Sequence, residues 1–145
     1  MTVIAWDGKT LAADKMSVSG GYSATVTKIR KIRGHLVGGS GNAPDVREHM
    51  AWFADGADPK TFPERLRDDS YRSFLLVITP ERQIHVYETG ALPMVQDDPY
   101  YAIGSGRDFA LAAMHLGFSA TRGVEVANHL SSSCGRGVDI LQFED

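Results

Sequence analysis

The run Ser73-Phe74-Leu75-Leu76-Val77-Ile78-Thr79 constrains this chain more than any other stretch. It has the length of one strand, is continuously apolar from Phe74 to Ile78, and meets a turn at Pro80-Glu81-Arg82. A strand without polar alternation is buried on both faces. The remaining residues must therefore cover a central sheet from two sides. The chain has 145 residues, of which 43% are apolar and 23% charged, so one domain spanning 1–145 supplies all the layers.

The other segments fit that demand. Residues 2–6 and 9–14 read as two strands joined by an Asp7-Gly8 turn, the preferred pair for a two-residue hairpin. With that turn Trp6 faces Lys9, Ile4 faces Leu11 and Thr2 faces Ala13, which brings Asp14 beside the start of the chain. Residues 15–24, rich in serine and glycine, read as a loop. A third strand is expected within Thr25–Arg33, broken by Gly34, and a fourth over His35–Gly38. The stretch Gly38-Gly39-Ser40-Gly41 then reads as flexible backbone. Asn42-Ala43-Pro44 has the signature of a helix start, and Val46, His49, Met50 and Phe53 continue at helical spacing to Gly56. Two prolines limit Asp58–Asp69 to short helical turns. Gln83–Glu88 and Tyr100–Ile103 read as strands, residues 109–117 and 125–130 as helices, and Val138–Phe143 as a last strand. This order predicts an α+β protein with two antiparallel sheets packed together and helices outside.

Charge and cysteine usage exclude several classes. Eighteen acidic against fifteen basic residues give a net charge of -3, and the basic set Lys28, Arg30, Lys31 and Arg33 has no nucleic-acid motif around it, so nucleic acid is not an expected partner. Cys134 is the only cysteine, which excludes an internal disulfide and a cysteine-built zinc cluster. The histidines 35, 49, 85, 115 and 129 lack zinc spacing, and no metal or organic cofactor is expected. No apolar run is long enough to cross a membrane, and the first residues do not form a secretory signal, which predicts a cytoplasmic protein.

The chemistry begins at Thr2. Removal of Met1 leaves a hydroxyl and a free α-amine on one residue. An α-amine has a reference pKa of about 7.7–8.0, so it serves as a general base near neutrality. Asp14 reaches the same end of the hairpin. Lys28 lies in a strand that can run alongside, where its ammonium would favour a neutral amine and a developing oxyanion. A backbone N–H in the glycine-rich stretch can stabilise an oxyanion, and Gly104-Ser105-Gly106 places a hydroxyl before a helix.

Thr2-Val3-Ile4, Leu11-Ala12-Ala13-Asp14, Thr27-Lys28-Ile29-Arg30-Lys31-Ile32, Leu36-Val37-Gly38-Gly39-Ser40-Gly41 and Ala102-Ile103-Gly104-Ser105-Gly106 occur in this order. Together they resemble the N-terminal-nucleophile hydrolases of the proteasome β-subunit and HslV peptidase type, from Thr2 to the Val138–Leu141 strand. The resemblance implies a four-layer αββα sandwich. It implies Thr2 as nucleophile, Asp14 and Lys28 as the charged pair behind it, Gly39 as the oxyanion-hole donor and Ser105 as the serine near the amine. It further implies a threonine-type endopeptidase acting on peptides or unfolded proteins inside a homo-oligomeric ring, with an ATP-driven unfoldase as partner. With only Met1 ahead of Thr2, maturation is expected to need methionine removal alone.

The sequence departs from that pattern near the last strand. Where the family carries an aspartate and a serine, this chain has Ser131 and Cys134 within Ser131-Ser132-Ser133-Cys134-Gly135. A hydroxyl at 131 hydrogen-bonds but carries no charge. Cys134 is expected to be a small buried residue. Two other readings stand beside the peptidase: a catalytically silent assembly or binding module, and an amidase of the same class acting on small amides.

Overall fold

The structure is a computed structural model that describes residues 1–68 and 73–144. Asp69, the last residue of the proline-containing stretch, lies outside the described residues. Eleven strands, three α-helices and two short 3-10 helices (Pro59–Thr61 and Glu64–Arg67) are present among those described. The strands are β1 (Ile4–Trp6), β2 (Thr10–Asp14), β3 (Met16–Ser19), β4 (Tyr22–Thr25), β5 (Ile29–Ile32), β6 (His35–Gly41), β7 (Ser73–Ile78), β8 (Ile84–Tyr87), β9 (Met94–Gln96), β10 (Tyr101–Ile103) and β11 (Val138–Gln142). The α-helices are α1 (Ala43–Ala54), α2 (Arg107–His115) and α3 (Ala120–Leu130).

One sheet has the order β10-β1-β2-β11 and another β5-β6-β7-β8-β9, with every pairing antiparallel. The α+β class with antiparallel sheets is as expected. The apolar run at 73–78 is the middle strand of the five-stranded sheet, and its alternate side chains enter different clusters. Leu76 and Ile78 join Ile4, Trp6, Leu11 and Ala13 between the two sheets. Leu75 and Val77 join Trp52, Phe53, Phe62 and Leu66 beneath α1 and the short turns after it. A third cluster puts Val3, Ala5, Ala12 and Ala102 against Ala110, Met114, Val124 and Ala127 of α2 and α3. Alanines on that face of the four-stranded sheet let the two helices approach closely. Gly123 serves the same end between the helices, since a Cβ there would lie 3.2 Å from the Ala110 backbone.

Four local expectations need correction. The first hairpin pairs Trp6 with Leu11 and Ile4 with Ala13, two residues away from the expected register. Its central residues are Gly8-Lys9, with positive φ at Gly8 alone, so the turn needs one left-handed residue rather than two. Asp7 instead folds over the turn, its Oδ1 accepting from the N–H groups of Lys9 and Thr10 at 2.9 and 2.8 Å. A slip of two preserves which face each side chain occupies.

Residues 15–24, expected as a loop, contain the hairpin β3–β4 around Gly20-Gly21, both at positive φ. Serines at alternate positions disguised its period. The glycine-rich stretch is not flexible backbone but the end of β6, paired with β7 out to Gly41↔Ser73. Small residues are required there because a Cβ on Gly38 would come within 2.9 Å of Ile29 and Ile4, and one on Gly39 would clash with Val46 of α1. Finally, α3 begins at Ala120 rather than near 125, because the Ser119 hydroxyl caps it by accepting from Arg122 N–H at 3.2 Å. Strand β9 was also not expected.

His49 lies within the cluster under α1, fully buried. Its Nδ1 meets Ser73 Oγ at 3.0 Å, Nε2 has no hydrogen-bond partner among the described residues, and Trp52, Phe62 and Tyr87 surround the ring. Burial disfavours the imidazolium and lowers the pKa to about 4. The unfolded chain protonates this histidine near 6.5, so on acidification the unfolded state gains the proton first. Stability is fully present above about pH 6.5 and falls as pH drops toward 4, by about 3 kcal/mol in total. Urea denaturation across that range should show this loss in the wild type and a flatter profile in His49→Gln. Parallel profiles would refute the assignment.

Candidate active site

The site forms where the start of β1, the end of β2 and the residue before β5 meet. Thr2 enters β1 and is 6% exposed. Its carbonyl accepts from Gly106 N–H at 3.0 Å and its own N–H donates to Ser105 Oγ at 3.2 Å. Both anchors come from the turn between β10 and α2. That turn runs close enough to Thr2 only because residue 104 is glycine. A Cβ there would lie 2.7 Å from the Thr2 carbonyl carbon, and Gly104 also has a φ of +98°.

Asp14 ends β2 directly opposite Val3, to which it donates its backbone N–H at 3.2 Å. The carboxylate is fully buried. Oδ1 accepts from Val3 N–H at 3.1 Å and from Lys28 Nζ at 2.9 Å. Oδ2 accepts from Met16 N–H at 3.1 Å and from Gly135 N–H at 3.2 Å. Four donors thus satisfy the charge that burial would otherwise penalise.

Lys28 approaches from the residue before β5, its side chain 9% exposed. Besides Asp14, its ammonium donates to Thr2 Oγ1 at 3.2 Å and to the Met1 carbonyl at 3.0 Å. Met1 precedes Thr2 in this structure, so the Thr2 nitrogen is an amide here. A cation fixed within hydrogen-bond reach of a hydroxyl favours negative charge on that oxygen.

Of the five residues singled out from the sequence, Thr2, Asp14, Lys28 and Ser105 are joined by direct hydrogen bonds. Gly39 stands apart from that network. It lines a cleft of about 610 Å³ together with Thr2, Lys28 and Gly41. Pairing between β5 and β6 ends at Ile29↔Gly38, so β5 provides no partner for the backbone beyond Gly38 where it borders this cleft.

One contributor escaped the sequence reading. Ser133 Oγ lies 3.5 Å from Ser105 Oγ and 2.9 Å from Ser131 Oγ, and Ser133 N–H donates to Ser131 Oγ at 3.2 Å. A line of hydroxyls therefore leads away from the Thr2 nitrogen through Ser105 and Ser133 to Ser131. Three consecutive serines gave no sign of which one would point inward. Cys134 is buried, and burial, followed by the charge of Asp14, pushes its thiol pKa up. Its sulfur packs against Gly106, where a Cβ would come within 2.8 Å. Among the described residues no group of His, Cys, Asp and Glu side chains could hold a metal ion, and no helix is long and apolar enough to cross a membrane.

No family model and no curated protein matches the chain. Solved structures do. BPH from Thiobacillus denitrificans is 20% identical over 99% of this chain and 98% of its own, with a TM-score of 0.69. Its complex with epoxomicin gives 20%, 99% of both chains and 0.68. Eukaryotic HslV from Trypanosoma brucei is 18% identical over 99% of both chains, with a TM-score of 0.69. The chain has the fold shared by BPH and HslV.

Removing the Asp14 carboxylate would leave a nearly buried ammonium and three backbone N–H groups without their acceptor. Asp14→Ala should cost about 3–5 kcal/mol of stability in urea denaturation. A loss below 1 kcal/mol would show that the pair does not hold the site together.

Proposed function

We propose that this chain is a threonine-type endopeptidase whose nucleophile is the Thr2 hydroxyl, exposed for catalysis by removal of Met1. The observation that carries the reading is the Lys28 ammonium held 2.9 Å from Asp14 Oδ1 and 3.2 Å from Thr2 Oγ1. With Met1 gone, the Thr2 nitrogen becomes an amine beside Ser105 Oγ, and Lys28 loses the Met1 carbonyl as a competing acceptor. The likeness to HslV and to the epoxomicin-bound BPH supports the same reading, and the three stacked clusters support describing the fold as a four-layer αββα sandwich.

The chemistry follows from the charges. The amine takes the proton of the Thr2 hydroxyl, directly or through a water, as the oxygen bonds to the substrate's carbonyl carbon. Lys28 stabilises the oxygen as charge develops on it. The Gly39 N–H, at the edge that β5 leaves uncovered, is assigned to the substrate's oxyanion. The carbon–nitrogen bond then breaks, the departing amine takes a proton, and an ester remains on Thr2. A water bonds to the same carbon, the ester bond breaks, and the hydroxyl and amine are restored. Ser105 orients the amine, and Ser133 with Ser131 extends the hydroxyl line where the resemblance expects a carboxylate. Asp14 acts through Lys28 and is a positioning residue.

In this reading the substrates are peptides or unfolded proteins in the cytoplasm. The chain assembles as a homo-oligomeric ring that encloses its sites and works with an ATP-driven unfoldase. A second reading rests on Met1 itself: while it is present, the Thr2 nitrogen is an amide and cannot serve as base, which leaves a silent assembly module. Small-amide hydrolysis would use the same atoms on a different substrate.

Thr2→Ala should abolish peptide hydrolysis with the fold intact, and Lys28→Ala should lower the rate about a thousandfold. Both are read with fluorogenic peptides on Met1-free protein, whose state intact mass verifies. Equal activity in Thr2→Ala would end the mechanism, and cleavage of small amides alone would favour the amidase. Light scattering should show a particle several times the 15.8 kDa chain mass. A clean monomer at working concentration would remove the enclosed ring.

A further inference from the structure

The cleft beside Thr2 has an uneven charge lining. Apolar side chains from Met16, Val26, Val46 and Met50 form much of its wall. Its charged lining residues are Lys28, Arg30 and Arg47, and among the described residues no carboxylate lines it. Asp14 neutralises Lys28. Neither arginine has a hydrogen bond or ion pair among the described residues. The carboxylates closest in sequence to Arg47 on α1, Asp45 and Glu48, are both engaged by Arg65 instead. The N-terminus of α1 adds to the same sign, since Ala43 of its first turn also lines the cleft. Gly39 and Gly41 contribute no side chain, which leaves room between the arginines and Thr2.

Two uncompensated guanidinium groups at the edge of a partly apolar cleft attract an anion and repel a cation. We infer that this cleft selects substrates with a carboxylate side chain on the residue that donates the acyl carbon to Thr2. The inference rests on the peptidase reading and adds the substrate class to it. An acidic side chain would lay its methylenes along Val46 and Met50 and end at the arginines, where bidentate pairing is available. A leucine would fill the apolar wall but leave both cations unpaired. An arginine or lysine would add a third charge of the same sign. Because Arg30 and Arg47 are both exposed, the preference is moderate and falls as salt screens it.

The test uses Met1-free protein and three peptide electrophiles selective for an N-terminal threonine, identical except for Glu, Leu or Arg next to the reactive group. Labelling rates at Thr2 are followed by intact mass. The Glu probe should label about tenfold faster than the Leu probe at low salt, with the Arg probe slowest and the gap narrowing as salt rises. In the double variant Arg30→Glu with Arg47→Glu, the Arg probe should overtake the Glu probe. Fastest labelling by Leu or Arg in the wild type, or a ranking unchanged by the double variant, would overturn the inference and leave the nucleophile standing. No labelling by any probe would instead overturn the nucleophile, and the substrate class with it.

Discussion

The buried carboxylate of Asp14 organises this end of the molecule. It accepts from Val3, Met16 and Gly135 backbone N–H groups and from the Lys28 ammonium, so four separate segments converge on one charge. Burying a carboxylate is unfavourable unless every donor is in place. That requirement couples the end of β2 to the beginning of the chain, the β3–β4 hairpin, the residue before β5 and the loop before β11. The same ion pair aims the Lys28 ammonium at Thr2 Oγ1, so stability and the proposed chemistry depend on one arrangement.

Around that charge, closeness is obtained by omitting side chains. Gly104 lets the turn before α2 touch the Thr2 backbone, and Gly106 leaves space for Cys134 and Val3. Gly38 and Gly39 let β6 pass between the inter-sheet core and α1. These glycines lie in or beside regular elements, where their conformational cost is offset by contacts that a methyl group would prevent. The large apolar residues do the opposite work, filling the layers between sheets and under α1. Thr2, Asp14, Lys28, Ser105 and Ser133 are thereby brought together where β1, β2 and the turn before α2 meet.

The hydroxyl line from Ser105 to Ser131 changes the meaning of the departure at residue 131. A carboxylate would have brought a charge. Here Ser133 reaches Ser105 and is itself held by Ser131 through its Oγ and its N–H. Orientation near the Thr2 nitrogen thus comes from neutral hydrogen bonds, while the fixed charge stays with Asp14 and Lys28. Arg30 and Arg47 add cations at the mouth of the same cleft, so its potential comes from the lining rather than from the protein's negative net charge.

Much of this was legible in the residues. The apolar run at 74–78 required a doubly covered strand, Asn42-Ala43-Pro44 marked the start of α1, and a hairpin returning to Asp14 brought a carboxylate near Thr2 whatever the turn. These signals are local, and local chemistry decides them. What the sequence left open depends on partners far along the chain. The two-residue change in hairpin register follows from Asp7, whose side chain folds over the turn while its second oxygen accepts from Ala120 N–H across the fold. The conversion of a glycine-rich stretch into β6 required β7 beside it and α1 above it. Ser133 rather than Ser132 faces Ser105, and Arg47 rather than Arg65 faces the cleft, because packing fixes orientations that composition does not encode. The sequence by itself determined most of the elements, though not the β3–β4 hairpin or β9, and the candidate Thr2, Asp14 and Lys28. Tertiary structure alone decided their distances, since burial of one charge selects a single arrangement from the many that the same elements allow.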